Sequence, residues 1–187
     1  MDIYLIRHTK TDVAKGLCFG QRDIELADSF TDEAAELREK LPQLTDSFHV
    51  FSSPLSRCMQ LAQFLSKPIT IDERLLELNF GDWEGVRFDD IEPDVLRYWT
   101  DNFVQTSPPN GESFEDLCQR AGGFWQDLIR MDIEQVLVVT HAGTIRALLA
   151  HILGLPLANA FQLRINFGSV HKLQHHDGYT YIDYLNQ

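Results

Sequence analysis

Only three cysteines occur in the 187 residues, Cys18, Cys58 and Cys118, and no C-x-x-C pair is among them. That spacing excludes a disulfide framework and points to reduced thiols, so a cytoplasmic location is expected. Basic residues are also scarce: 16 Lys and Arg stand against 28 Asp and Glu, a formal net charge of −12. With no basic patch or basic helix, nucleic acid and anionic membranes are excluded as partners. Long apolar runs are missing as well. The longest, Ala147–Phe161, is interrupted by His151, Gly154, Pro156 and Asn159 and cannot span a bilayer. The opening residues join no basic segment to an apolar stretch, so no signal peptide is expected. No H-x-E-x-H and no Cys/His cluster marks a metal site, and the chain is expected to need neither metal nor cofactor. Repeats and low-complexity linkers are absent too.

What remains is globular in composition, with 44% hydrophobic and 24% charged residues, and of a size for one domain over residues 1–187. Short strand-like runs alternate with helical patterns, which predicts an α/β fold. Strands are expected at Ile3–Arg7, Val50–Ser52, Ile69–Ile71, Val136–Thr140, Ser169–His175 and Tyr179–Leu185, the last two joined by a turn at His176-Asp177-Gly178. Thr31 is expected to cap a helix bearing Ala34, Leu37 and Leu41, with Asp32 and Glu33 favouring its N-terminal dipole. Ser53-Pro54 reads as an N-cap with proline at the first helical position, leading into Leu55–Leu65. Ser113 and Asp116 form a capping-box pattern ahead of Phe114, Leu117, Ala121, Phe124 and Leu128. Gly143–Leu153 reads as a helix stopped by Gly154 and Pro156. A weaker helix is expected at Asp94–Phe103, then a surface loop at Ser107–Gly111.

Five segments carry candidate chemistry. Two strands end on a histidine: Ile3–Arg7 runs into His8, and Val136–Thr140 runs into His141-Ala142-Gly143. Open α/β sheets bind ligands at such carboxyl edges. The third is Ser52–Arg57, which places Arg57 in the first turn of a helix. The fourth, Leu76–Gly85, bears Glu77, Asp82 and Glu84, and the fifth is Asn110-Gly111-Glu112-Ser113. In an acidic body, an anion site has to be a local gathering of Arg, His and backbone N–H groups. Arginine supplies planar, permanently charged donors for a phosphoryl group, helix starts add N–H groups, and a neutral imidazole is a capable nucleophile near pH 7.

In their order along nearly the whole chain, these five segments resemble the histidine phosphatase superfamily, the phosphoglycerate-mutase-like proteins. The resemblance implies a three-layer α/β/α sandwich with a mostly parallel central sheet. It also implies a metal-independent phosphomonoesterase in which His8 becomes phosphohistidine. Arg7, Arg57, His141 and Ala142 would hold the phosphoryl oxygens, and Glu77 would give and take the proton. Glu112 and Asp82 stay open as alternative proton donors. Glu112 is also expected to shape the substrate loop.

Two departures stand out. The commoner R-H-G-E is here Arg7-His8-Thr9-Lys10, and an asparagine that often assists phosphate binding falls at Ala14. Thr11 or Gly20-Gln21 are candidates to replace that donor. Phe80–Glu84 with Pro109–Phe114 is most similar to the α-ribazole-5′-phosphate phosphatases of the family, which implies a nucleotide-loop precursor of cobalamin as the small-molecule ester. Trp83, Tyr98 and Trp99 are then candidate walls for its benzimidazole base. A broad-specificity metabolite phosphatase, a phosphoglycerate mutase and a catalytically silent binding module are the alternatives, acting as a monomer or homodimer. The remaining histidines, His49, His151, His171, His175 and His176, are expected to be structural or exposed.

Overall fold

The computed structural model describes residues 1–43, 48–66 and 68–187. Six strands form one sheet: β1 (Asp2–Arg7), β2 (His49–Ser52), β3 (Thr70–Ile71), β4 (Gln135–Thr140), β5 (Val170–His176) and β6 (Tyr179–Tyr184). Their spatial order is β3-β2-β4-β1-β5-β6. Pairings of β1 with β4, β2 with β4 and β2 with β3 are parallel, while β5 runs antiparallel to both β1 and β6. The fold class expected from the sequence is the one observed, a mixed, mostly parallel sheet flanked by helices.

Successive side chains of a strand face opposite ways, and here the two faces make two cores. Ile3, Leu5, Val136 and Val138 pack beneath α4 (Phe114–Leu128) and α5 (Ala142–Leu153). Tyr4, Ile6, Leu137 and Val139 pack against α1 (Phe30–Lys40) and α2 (Ser56–Leu65). Because the middles of β1 and β4 are buried on both faces, Ile3–Ile6 and Val136–Val139 read as unbroken apolar runs. Between β3 and α4, a segment carrying α3 (Pro93–Asn102) packs Trp83 and Ile91 against Cys18 of the β1–α1 connection in a small third core. Among the described residues, no helix is long and apolar enough to cross a membrane.

Several local expectations need correction. The first helix begins one residue before Thr31, with Ser29 at its N-cap and no side-chain cap bond. Ser53-Pro54 does not cap α2, which starts at Ser56. Ser53 is drawn instead to His141, and the Asp23 carboxylate accepts from both the Ser56 N–H (3.0 Å) and its hydroxyl (2.7 Å). Ile69 precedes β3 rather than opening it. His176 is the last residue of β5, paired with Tyr179, so the hairpin turn is Asp177-Gly178, both at positive φ as a two-residue primed turn requires. The Ser113 capping box and the left-handed Gly154 stop form as the sequence predicts.

Candidate active site

The site follows from strand register. Arg7 and Thr140 are partners across β1 and β4, so the next residues, His8 and His141, emerge side by side. The His8 N–H donates to the Thr140 carbonyl at 3.1 Å, and the two imidazole centroids lie 5.2 Å apart at 62°. Residues 133 positions apart are thereby adjacent at one sheet edge.

His8 is 2% exposed. Its Nδ1 lies 2.8 Å from the Thr9 carbonyl oxygen. A carbonyl only accepts, so Nδ1 carries the proton and Nε2 keeps its lone pair. Burial, then the charges of Arg57 and Arg7, hold its pKa well below the usual histidine value. At neutral pH this imidazole is therefore uncharged.

Arg7 is fixed in two ways. One Nη1–H donates to the Ile165 carbonyl at 2.7 Å, and the guanidinium lies 3.5 Å from the centre of the Phe167 ring. Its Nε is buried and has no hydrogen-bond partner among the described residues. The braced group thus keeps one donor edge available for an anion. Burial lowers its pKa to about 10.

Arg57 is fully buried on α2. It donates from Nε to His141 Nδ1 (3.2 Å), from Nη1 to the Arg22 carbonyl (3.0 Å) and from Nη2 to the Gly20 carbonyl (2.6 Å). Gly20 has to be glycine, since a Cβ there would sit 1.8 Å from the Leu78 carbonyl oxygen. His141 accepts from Arg57 at Nδ1, so its Nε2–H donates to Ser53 Oγ at 2.8 Å. Both its ring nitrogens are thus engaged by the protein. Contact with a phosphoryl oxygen requires exchanging one of these bonds.

Glu77 meets the site from the other side. Its Oε2 accepts from the Gly143 N–H at 3.1 Å, and its Oε1 from the Leu78 N–H at 2.9 Å. Arg120 and Gln21 both donate to its main-chain carbonyl, at 2.9 and 3.0 Å. Glu112 binds Arg120 through both oxygens and accepts from the Asn79 N–H. It supports the Glu77 loop and does not point into the site. Asp82 accepts from the Asn110 side chain at 2.9 Å, also away from the histidines. Of the three candidate carboxylates, the geometry brings Glu77 to the start of α5, beside Ala142.

Other expected residues fall elsewhere. Thr11 forms an isolated bridge with Leu26. Gly20 and Gln21 support Arg57 and Glu77 through the bonds above, whereas Ala14 is exposed. Trp83 is 7% exposed and packs in the third core, and Trp99 leans on it at 5.5 Å. Sequence reasoning missed Arg120, Phe167 and Arg146. Arg146 had a readable signal, since it lies three and four residues after Gly143 and Ala142 on the same helix face. Among the described residues, no group of three or more His, Cys, Asp or Glu is placed to hold a metal.

The family model described as "Histidine phosphatase superfamily (branch 1)" matches residues 3–187. The chain belongs to this superfamily. A Hydrogenobacter thermophilus protein, provisionally named phosphoserine phosphatase 2, is 27% identical over 99% of this chain and 95% of its own length. The crystal structure of the α-ribazole phosphatase from Shigella flexneri superposes with a TM-score of 0.91 at 26% identity, covering 100% of this chain and 96% of that one. A mycobacterial glucosyl-3-phosphoglycerate phosphatase, solved with inorganic phosphate, gives a TM-score of 0.84 at 26% identity over 100% and 97% of the two chains. The histidine phosphatase assignment accounts for the paired imidazoles and arginines at one sheet edge. It makes a phosphate ester the substrate.

Proposed function

We propose that this histidine phosphatase is a metal-independent phosphomonoesterase acting through phosphohistidine at His8. The observation that carries the reading is the bond from His8 Nδ1–H to the Thr9 carbonyl, which leaves Nε2 as the nucleophilic nitrogen. Nε2 attacks phosphorus in line, forming the N–P bond as the ester P–O bond breaks. The open edge of Arg7 and the helix start at Ala142 take up phosphoryl oxygens, with Arg57 and His141 completing the cationic wall. Glu77 protonates the departing alkoxide. It then accepts a proton from the water that cleaves phosphohistidine, returning enzyme and inorganic phosphate.

For the ester itself we propose α-ribazole 5′-phosphate, supported by the likeness to the Shigella flexneri α-ribazole phosphatase. Burial of Trp83 removes it as a wall for the base, whereas Tyr98 is 63% exposed on α3. Mixing the protein with substrate, quenching, and testing for acid-labile, base-stable phosphate on His8 examines the mechanism. Labelling and turnover should vanish in His8→Ala and survive excess chelator. Activity in that variant within about tenfold of wild type, against the 10⁶-fold or greater acceleration typical of enzymes, rejects the nucleophile. A panel in which α-ribazole 5′-phosphate is no better than phosphoserine or simple sugar phosphates rejects the substrate.

A further inference from the structure

Arg146 repeats the construction of Arg7. Its Nε–H donates to the Leu163 carbonyl at 2.9 Å, and its guanidinium lies 4.9 Å from the centre of the Phe161 ring. Arg7 uses the Ile165 carbonyl, two residues on, and the Phe167 ring. One short segment, 161–167, therefore braces two guanidinium groups in parallel, each on a carbonyl and an aromatic face. The Nη1 and Nη2 groups of Arg146 have no hydrogen-bond partner among the described residues. The nearby Glu77 carboxylate, whose charge bears on Arg146, is already held by the Gly143 and Leu78 N–H groups.

Position assigns the open end. Arg146 lies one helical turn above Ala142 and Gly143, and Gly143 is the residue that holds Glu77. Arg146 thus shares the first turns of α5 with the Gly143 N–H that holds Glu77, the proposed proton donor to the leaving oxygen. In-line displacement sends the leaving oxygen toward that donor.

We propose that Arg146 is a leaving-group-binding residue that reads oxygen acceptors on the alcohol close to its ester oxygen. Such oxygens come from the carboxylate of an amino- or hydroxy-acid phosphate or from the hydroxyls of a sugar phosphate. The placement rests on the roles of His8 and Glu77 given above. Calorimetry on the full chain carrying His8→Ala tests it without turnover, using phosphoserine, ribose 5-phosphate and inorganic phosphate as probes. The readout is how much more tightly each ester binds than inorganic phosphate, with Arg146 intact or replaced by Met or Lys.

One charge-assisted hydrogen bond corresponds to about tenfold or more in affinity. In Arg146→Met, the advantage of phosphoserine should fall by that factor if a carboxylate is read, and that of ribose 5-phosphate if sugar hydroxyls are. Lys at 146 should restore part of the first and little of the second, because it lacks the guanidinium fork. Unchanged advantages for both esters in both variants overturn the proposal. A wild-type protein that forms no phosphohistidine while these advantages still depend on Arg146 removes the His8 reading and leaves Arg146 as a ligand-binding residue.

Discussion

Replacing Gly143 by alanine separates the proton-donor role of Glu77 from every other part of the site. A Cβ at position 143 would lie 2.3 Å from Glu77 Oε1 and 3.2 Å from its Cδ, so the carboxyl group has to move. Its bond from the Gly143 N–H, 3.1 Å long, is then lost. The remaining neighbour, Leu117 Cδ2 at 3.4 Å, is an ordinary contact. Gly143 is the second residue of α5, where alanine fits the helix at least as well as glycine. The fold is therefore expected to hold, and a thermal melt checks it. Displacing a general acid by about 1 Å costs on the order of 100-fold, or roughly 2.7 kcal/mol at the transition state. An alkyl phosphate, whose alkoxide needs a proton, should lose that factor in the rate of phosphoenzyme formation. p-Nitrophenyl phosphate releases a stable phenolate and should not. Rapid-mixing experiments distinguish the two steps. With p-nitrophenyl phosphate the variant should give a burst at the wild-type rate and then slow turnover, since water attack also uses Glu77. A burst slowed as much as alkyl phosphate cleavage refutes the assignment of Glu77.

Two further outcomes are expected. Burial holds His8 and His141 well below the usual histidine pKa and His171 at about 4, so all three are neutral in the folded protein where the unfolded chain takes up protons. Their contribution is present above about pH 6.5 and lost as pH falls, by roughly 1.4 kcal/mol per histidine per pH unit; melting temperatures measured from pH 7 to pH 5 should drop steeply, and a flat profile contradicts the burial argument. Arg57→Ala should reduce kcat/KM by about 100-fold or more, near 2.7 kcal/mol, and steady-state kinetics returning less than a tenfold loss removes Arg57 from phosphate binding.

Much of the architecture was legible because it is written in local periodicity. Ile3–Ile6 and Val136–Val139 are unbroken apolar runs, and the structure buries both on both faces of the sheet. The capping box at Ser113 and the glycine stop at Gly154 depend on residues close in sequence, and both form. The helix starts at Thr31 and Ser53 failed for a different reason. Ser53 has a competing partner in His141, 88 residues away, and Asp23 caps α2 from 33 residues away. No local rule ranks a cap against a distant imidazole.

The same distinction runs through the site. His8, Arg57 and His141 stand at strand exits or helix starts, positions that can be recognised from sequence as ligand-facing. The supporting residues cannot. Arg120 lies mid-helix in α4 with nothing to mark it, yet it gathers Glu112 and the carbonyls of Arg74, Leu76 and Glu77. That clamp, together with the Thr144 hydroxyl of α5 donating to the Leu76 carbonyl at 2.7 Å, holds the loop carrying Glu77 against α5.

The arginines also explain why a histidine serves here in an acidic protein. Burial first, then Arg57 and Arg7, oppose protonation of His8, so the groups that attract a phosphate dianion also help keep the nitrogen lone pair free before the dianion arrives. Once phosphate is bound, its charge offsets theirs, and the positive charge that develops on the imidazole as the N–P bond forms is no longer opposed by the arginines. A lysine in place of Arg7 would keep the charge. It would not offer the flat face that rests on Phe167 or the second donor that holds the Ile165 carbonyl while Nε stays free. Aim, rather than charge alone, is what this sheet edge provides.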